Sequence, residues 1–575
     1  MGMTRLAVID LDTGDQPMFN EDKTIAVVFN GEIYNYQELR RDLIAKGHRF
    51  TSKGDTEVLV HLYEELGAAM VLPLRGMFTF AVHDVRQRKV LLARDRFGKK
   101  PLYLARVKDG FVFGSEIKAV RPFLDRLGMT VGVSQQAVAD YLSLGVVPQP
   151  QTIYREVESL PAAHVAILSH RGVEISRYWS PRFEPKHNVD SATAVEEVRR
   201  LIRESVRLRL RSDVPLGLFL SGGVDSSVVA YEAAIALGSS VQSYTIAMEE
   251  GFDESPVAKR TAKALGIHNT VLPVSLDPVK GLDAVLDAYD QPFADSSAIP
   301  SLQLAAAARE HVTVVLNGDG GDELFGGYRR YVAARPYDRM PATLGRVLAA
   351  VGHLVGGRVA RRSTLGFAAR LTAGLTLEES ERYLAWTSDM LRREDKRLHW
   401  RGGVVTPTEA LVSSLTVPAT SALDRMMALD HGLNLSSDLL VKMDIACMAS
   451  SLEARSPLLD HVLAEYAFRL PDSLKVHGTK TKYVLRKAYA DVLPREVLIS
   501  RKRGFEIPLA GWLASDLRPL IRETVGARDA EVKNYLDAAL VDGVLFGNTL
   551  VDRNVPYLQY ALLVLELWLR RSLGK

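Results

Sequence analysis

Seven consecutive residues, Ser221-Gly222-Gly223-Val224-Asp225-Ser226-Ser227, combine what an anion site needs. Two glycines let the backbone turn tightly and aim N–H groups at one point, and the serines add hydroxyl donors. An apolar run, Leu216 to Leu220, precedes them and a helical stretch follows to Leu237. The partial positive charge at that helix N-terminus would add to the attraction for an anion, above all a pyrophosphate. Asp225 lies inside this site, where phosphates would repel it unless a hard cation intervened, Mg2+ being the natural one. For the Gly-Gly pair alone, a serine N-cap on an ordinary strand–helix turn is the plain alternative. The pattern is not the Gly-x-x-x-x-Gly-Lys-Ser/Thr loop, which grips the outer phosphates with a lysine. A second Gly-rich segment, Asn317 to Tyr328, follows the apolar run Val312 to Leu316 and carries three carboxylates, Asp319, Asp322 and Glu323, within five positions. A calcium loop would need alternating aspartates and a late glutamate, which are missing. Acids at a strand C-terminus favour a metal–nucleotide and catalytic loop over a solvated acidic turn.

The flanking elements explain how two such loops could meet. After Leu216–Leu220 come strand candidates at Gln242–Ala247 and Val312–Leu316, alternating with helices at Ala194–Arg211, through Leu237, and at Ser255–Leu265. This alternation predicts a parallel sheet whose ligands sit at the strand C-termini. From about Pro336 the chain reads as mostly helical. The first third differs. Strands are predicted at Ile25–Phe29 (stopping at the Asn30-Gly31 turn signal), Gly76–Val82, Lys89–Ala93 and Phe111–Phe113, with helices over Tyr36–Lys46 and Thr56–Leu66. That is an α+β layered arrangement, and Ser180 to Lys186, with two prolines, is the linker candidate.

Composition bounds the rest. The 575 residues are 47% hydrophobic and 25% charged with a formal net charge of +3, which fits a globular protein and gives no reason to invoke nucleic acid or an anionic membrane. A single cysteine, Cys447, excludes an internal disulfide, and a cytoplasmic location fits. No signal peptide opens the chain, and the apolar stretch Leu344–Ala360 holds Arg346, His353 and Arg358, a poor membrane span. A homodimer is compatible with the sequence.

The Ser221 loop resembles that of the pyrophosphate-loop ATP pyrophosphatases. Further segments extend the resemblance along nearly the whole chain: Asn30 to Asn35, Ala93 to Tyr103, Gly114 to Ala119, Gly318 to Tyr328, Ser451 to Asp460 and Thr479 to Arg486. In their order and number they resemble the class B, glutamine-dependent asparagine synthetases. The resemblance implies an N-terminal-nucleophile-type glutaminase domain over 1–185 and an ATP-pyrophosphatase synthetase domain over 190–575. It implies aspartate, ATP and glutamine or ammonia as small-molecule substrates, Mg2+ as cofactor, and passage of ammonia between the domains to an aspartyl-adenylate. By position it implies nucleotide binding by Leu220, Ser221, Gly222, Gly223, Asp225, Ser226, Ser227, Ile246 and Gly318, with Asp225 and Asp322 as metal ligands. Asp319, Glu323 and Lys482 are the implied catalytic set, Lys482 neutralising charge on the α-phosphate. On sequence alone Lys482 also reads as a solvated helix lysine. Glu453 and Arg455 resemble part of an acceptor pocket, with an internal ion pair as the alternative. Relatives of the same mechanism amidate other carboxylates, and a non-catalytic regulatory relative is the remaining alternative.

One departure stands out. The family resemblance implies a cysteine directly after the initiator methionine as glutaminase nucleophile, its own α-amine acting as base. Gly2 stands there, while Arg5, Asn30, Gly31, Glu32 and Asp55 match the glutamine-binding residues. The matched position of Arg5 implies that about 45–55 family residues, including an interior strand, precede it in relatives. Either the start is internal to a longer protein or a short natural form uses free ammonia. No glutaminase activity is expected of the chain as written.

Overall fold

The computed structural model describes residues 1–108, 110–248, 253–356, 363–417, 419, 421–500, 507–547, 549–550 and 553–574. In the first third, β1 (Met18–Phe19), β2 (Ile25–Ile33), β3 (Gly76–Asp84), β4 (Lys89–Arg94), β5 (Tyr103–Val107), β6 (Gly110–Gly114), β7 (Glu158–Ser159), β8 (His164–Ser169) and β9 (Gly172–Arg177) form two antiparallel sheets. Their orders are β1-β2-β3-β4-β8-β9 and β6-β5-β7. Side-chain alternation sorts the central strands into two faces. Val27, Phe29, Phe78, Phe80, Val82, Leu91 and Ala93 pack against the helices Tyr36–Ala45 and Val58–Leu66. Val28, Ala81 and Leu92 face the small sheet through Leu102, Leu104 and Phe113. The result is a three-layer arrangement of helices, large sheet and small sheet.

One expectation fails here. Asn30-Gly31 does not end β2, which continues to Ile33. Gly31 pairs with Phe78 across the ladder, and a Cβ on it would lie 2.1 Å from the Met77 carbonyl oxygen. The glycine admits a close backbone, not a turn.

The remainder is built on β10 (Leu216–Phe219), β11 (Gln242–Met248), β12 (His268–Val274), β13 (Val314–Leu316) and β14 (Glu453–Arg455), parallel throughout in the order β12-β11-β10-β13-β14. Strands β12 and β14 escape the pattern reading: β14 is three fully buried residues, two of them charged. The chain leaves β10 toward β11 and β12 on one side and returns to β13 on the other, so β10 and β13 flank the switch point where sheets of this type open a crevice. The pairing of Leu218 with Leu316 brings both strand ends level, and the Ser221 and Asn317 loops therefore emerge side by side. Helices Ser191–Arg209 and Val224–Leu237 cover the sheet, and Val555–Ser572 closes the helical C-terminal part. Of the apolar stretch Leu344–Ala360, the helix Ala342–Gly356 is described and residues 357–360 lie outside the described residues. No helix among the described residues is long and apolar enough to cross a membrane.

The two halves are bound by charge as well as by apolar contact. The segment joining them is fastened: Phe183 is buried against Phe468, their ring centroids 4.8 Å apart. Arg75 pairs with Asp460 and Glu204, and Asp10 N–H donates to Asp213 Oδ2 at 2.7 Å. Lys100 is also enclosed: its Nζ donates to Asp444 Oδ1 at 2.6 Å with both side chains buried. Removing one partner of such a pair leaves an uncompensated buried charge. We expect Lys100→Met to lower unfolding free energy by about 3–5 kcal/mol, and the double variant Lys100→Met/Asp444→Leu to recover most of it. Denaturant unfolding of the four proteins checks this; strict additivity of the two single losses would refute the pairing.

Candidate active site

At the N-terminus of the helix Val224–Leu237 the glycine-rich loop is closed by its own hydroxyls. Ser221 N–H donates to Ser226 Oγ at 3.1 Å, the two hydroxyl oxygens lie 2.9 Å apart, and Gly223 N–H donates to Ser221 Oγ at 3.1 Å. Gly222 N–H donates to Glu254 Oε2 at 3.2 Å, so this amide already holds a carboxylate. Of the donors that the sequence proposed for a phosphate, the Gly222 amide meets a carboxylate, while the Ser221 and Gly223 amides meet hydroxyls of the loop itself. They open into a cavity of about 760 Å³ that the Asn317 loop, Leu220, Ile246 and Lys482 also line.

Three charged groups meet at its floor. Lys482 Nζ lies 2.5 Å from Asp225 Oδ2 and 2.7 Å from Asp322 Oδ1. The Lys482 backbone has φ of +52°, a left-handed conformation that costs a non-glycine residue energy and tends to mark functional positions. Glycines make the convergence sterically possible. A Cβ on Gly327 would stand 1.9 Å from Asp322 Oδ1 and 2.1 Å from Lys482 Cε, and one on Gly321 would stand 2.3 Å from Asp225 Oδ1. Asp225 Oδ1 is buried without a hydrogen-bond partner among the described residues. A buried carboxylate oxygen in that condition calls for a cation or water. Together with Asp322 it offers the hard oxygen donors that Mg2+ takes alongside phosphate oxygens.

The other loop acids face the same cavity. Asn317 Nδ2 donates to Asp319 Oδ2 at 2.6 Å, and the Tyr328 hydroxyl donates to Glu323 Oε1 at 2.5 Å. Burial and the adjacent Glu323 hold the Tyr328 phenol well above its usual range, so it remains a donor. Opposite lies a wall that sequence reasoning missed. Lys442 Nζ donates to Asp295 Oδ2 at 2.6 Å and to Ser297 Oγ at 2.9 Å. Burial opposes ionisation of Asp295, but Lys442 and the Ser297 hydroxyl prevail and hold its carboxyl below the usual range. Burial and then Asp295 push the Asp438 carboxyl well above that range. Asn434 joins this wall from a π-helical stretch, Asp430–Leu439. Asn434, Asp438 and Lys442 recur every four residues, but across a junction of π-helix with the α-helix Leu440–Met448, and residue type alone does not mark them as facing Asp295. Glu254 and Arg486 also line the cavity; Arg486 belongs to a segment whose pattern was visible, though its role was not.

The five glutamine-site candidates line a second cavity of about 1000 Å³ in the N-terminal half: Arg5, Asn30, Gly31, Glu32 and Asp55. Arg5 Nη2 donates to the Ile9 and Asp10 carbonyl oxygens, each at 2.7 Å. Burial raises the Asp55 carboxyl to about 6, and burial together with Asp55 raises Glu32 well above its usual range. Glu453 also lines this cavity. Arg455, fully buried, bonds Glu453 Oε1 at 2.8 Å, Glu32 Oε2 at 3.0 Å and the carbonyl oxygens of Arg209 and Arg211. Glu453 and Arg455 form the internal ion pair, the alternative to an acceptor pocket; they join the two halves beside the N-terminal cavity and are not among the residues lining the first cavity. Cys447 is wholly buried, and burial pushes its thiol up to about 12. Its helix, Leu440–Met448, runs between the cavities, with Lys442 and Met443 on one and Met448 on the other.

Comparison with known proteins agrees with this layout. Residues 197–570 match the family described as asparagine synthase, and residues 1–179 match the glutamine amidotransferase domain. The chain is 34% identical over 551 residues to asparagine synthetase (glutamine-hydrolyzing) 1 of Bacillus subtilis (strain 168), covering 94% of this chain and 84% of that protein. It is 30% identical over 571 residues to asparagine synthetase (glutamine-hydrolyzing) 3 of the same organism, covering 95% and 86%. To amidase chyE of Penicillium rubens it is 28% identical over 600 residues, covering 93% and 85%. The match over 197–570 takes in both loops, Lys482 and the whole parallel sheet, and by it the chain belongs to the asparagine synthase family.

Proposed function

We propose that the chain makes an amide from a carboxylate, ATP and glutamine or ammonia through an acyl-adenylate, with aspartate as acceptor and asparagine, AMP and pyrophosphate as products. The observation that carries this reading is the meeting of Lys482, Asp225 and Asp322 at the mouth of the glycine-rich loop. An acceptor carboxylate oxygen attacks the α-phosphorus, and the bond from that phosphorus to the bridging oxygen breaks. The leaving pyrophosphate is held by the amides and hydroxyls of Ser221 to Ser227. Lys482, a compact mobile cation, offsets the charge that grows on the α-phosphate. Bound Mg2+, held by Asp225 and Asp322, would neutralise phosphate charge. Ammonia then adds to the acyl carbon, the carbon–oxygen bond to AMP breaks, and Asp319 takes the surplus proton. Leu220, Ile246 and Gly318 frame the nucleotide, and Glu323 positions Tyr328 at the cavity edge.

The boundary between a synthetase domain over 190–575 and an N-terminal-nucleophile-type domain over 1–185 falls between the two matched stretches. Ammonia would pass alongside the helix Leu440–Met448, whose nine residues touch both cavities and span about 13 Å. Cys447 is buried in the C-terminal half and does not line the N-terminal cavity, so no glutaminase role is assigned to it; glutamine or ammonia is the nitrogen source.

A second reading keeps the mechanism and changes the acceptor. It is favoured by the likeness to amidase chyE and by the Asp295–Lys442–Asp438 wall, which would discriminate among acids.

With aspartate and ammonium, Asp225→Ala should cut pyrophosphate release by at least ~100-fold; unchanged ATP turnover would remove the mechanism. Pyrophosphate release measured against a panel of carboxylic acids should be fastest with aspartate, and a clear preference for another acid would select the second reading. Cys447→Ser should leave glutamate release from glutamine at the level of the unsubstituted protein, whereas a lower rate would place that thiol in the chemistry.

A further inference from the structure

Away from both cavities, four side chains of the N-terminal half aim one atom each at a common point. They are Glu21 in the turn after β1, His48 beyond the helix Tyr36–Ala45, and His61 and Glu64 one turn apart on the helix Val58–Leu66. Glu64 Oε2 lies 3.1 Å from His61 Nδ1 and 3.5 Å from His48 Nδ1, and Glu21 Oε2 lies 3.8 Å from His61 Nδ1. All four atoms fall within 4.8 Å of one another. Bonds of about 2.0–2.1 Å to a tetrahedral ion place its ligand atoms roughly 3.3 Å apart, so modest closure would suffice.

The far sides of three of the four ligands are anchored. Asn20 Nδ2 donates to Glu64 Oε1 at 2.8 Å, and Arg49 N–H donates to Glu21 Oε1 at 3.0 Å. His48 Nε2 meets Glu65 Oε1 at 3.1 Å, and Glu65 also pairs with Lys46 at 2.6 Å. His61 Nε2 lies 3.9 Å from Glu57 Oε1, beyond hydrogen-bond length but within ion-pair range of a carboxylate fixed by the Thr51 and Ser52 amides. Carboxylate and amide partners behind the ligands are the arrangement that orients groups around a metal.

We propose that Glu21, His48, His61 and Glu64 form a structural Zn2+ site. Two neutral imidazoles and two carboxylates give a neutral complex with the divalent ion, and a mixed nitrogen and oxygen set at tetrahedral spacing suits Zn2+. The site ties the turn after β1, the segment after the first helix and the second helix into one unit. The connection it spans, 49–60, carries Asp55, which accepts from Ile33 N–H at 2.8 Å in the N-terminal cavity. The ion therefore holds one edge of that cavity in place.

Chelator-stripped full-length protein, kept in excess Mg2+ to occupy hard-oxygen sites, is titrated with Zn2+ by calorimetry and with Co2+ by visible absorption. The expected result is one equivalent of Zn2+, a raised thermal midpoint, and the absorption of four-coordinate Co2+. His48→Gln and Glu21→Gln, both at positions reaching the surface, should each weaken Zn2+ binding at least ~10-fold and remove the midpoint shift. Glu65→Gln, which meets the far nitrogen of His48 and otherwise pairs with Lys46, should weaken it about 10-fold. Absence of Zn2+ uptake by the unsubstituted protein identifies the cluster as a protonated histidine–glutamate network and overturns the proposal, a result that does not depend on how the variants fold. Uptake of unchanged affinity in His48→Gln and Glu21→Gln overturns it equally.

Discussion

The ammonium of Lys482 lies between two carboxylates that come from different loops and would otherwise repel each other. At 4 Å and an effective dielectric of 20 such charges interact by on the order of 4 kcal/mol, and taking each out of water costs several kcal/mol. A single cation shared by Asp225 and Asp322 offsets both costs and sets how closely the two loops approach. Much of the local structure follows from that approach. Glycine at 321 and 327 leaves the space, the pairing of β10 with β13 levels the loops, and the left-handed backbone at Lys482 delivers the ammonium from a distant segment. The assembly carries one unit of excess negative charge, which suits a divalent cation arriving with a polyphosphate.

A parallel logic joins the halves. Arg455 leaves the end of β14 in the synthetase sheet and reaches Glu32 on β2 of the antiparallel sheet. Lys100 and Lys99 reach back the other way, to Asp444 and Ser456. These bonds cross the boundary in both directions and are shielded from solvent, so the two cavities keep a defined relation. Buried ionic contacts of this kind are costly to form and strongly directional, which favours one relative placement of the sheets over many.

Legibility in the sequence followed locality. The helix Ser255–Leu265 was readable to the residue, and the two catalytic loops were readable because each sits between an apolar run and a helix. Lys482 carried no local sign of its role and was placed by resemblance; geometry then supplied the contact. Asn30-Gly31 misled because a glycine admitting a close strand looks in sequence like one that turns the chain. Strand β14 was hidden by its charges, which pair across the domain boundary rather than face water. Asp295 meets Asp438 and Lys442 from far off in the chain, 147 residues before Lys442, and no local pattern connects it to that π- and α-helical run.

The position of Cys447 has a practical corollary. The lone thiol is wholly buried on the helix Leu440–Met448, packed with Leu452 and with Ala454 of β14, and its proton is held tightly. Alkylating reagents require the thiolate and access to it. Labelling of the native protein therefore reports the rate at which this wall between the two chambers opens, and a single mass increment per chain serves as a clock for breathing of the partition without any engineered probe.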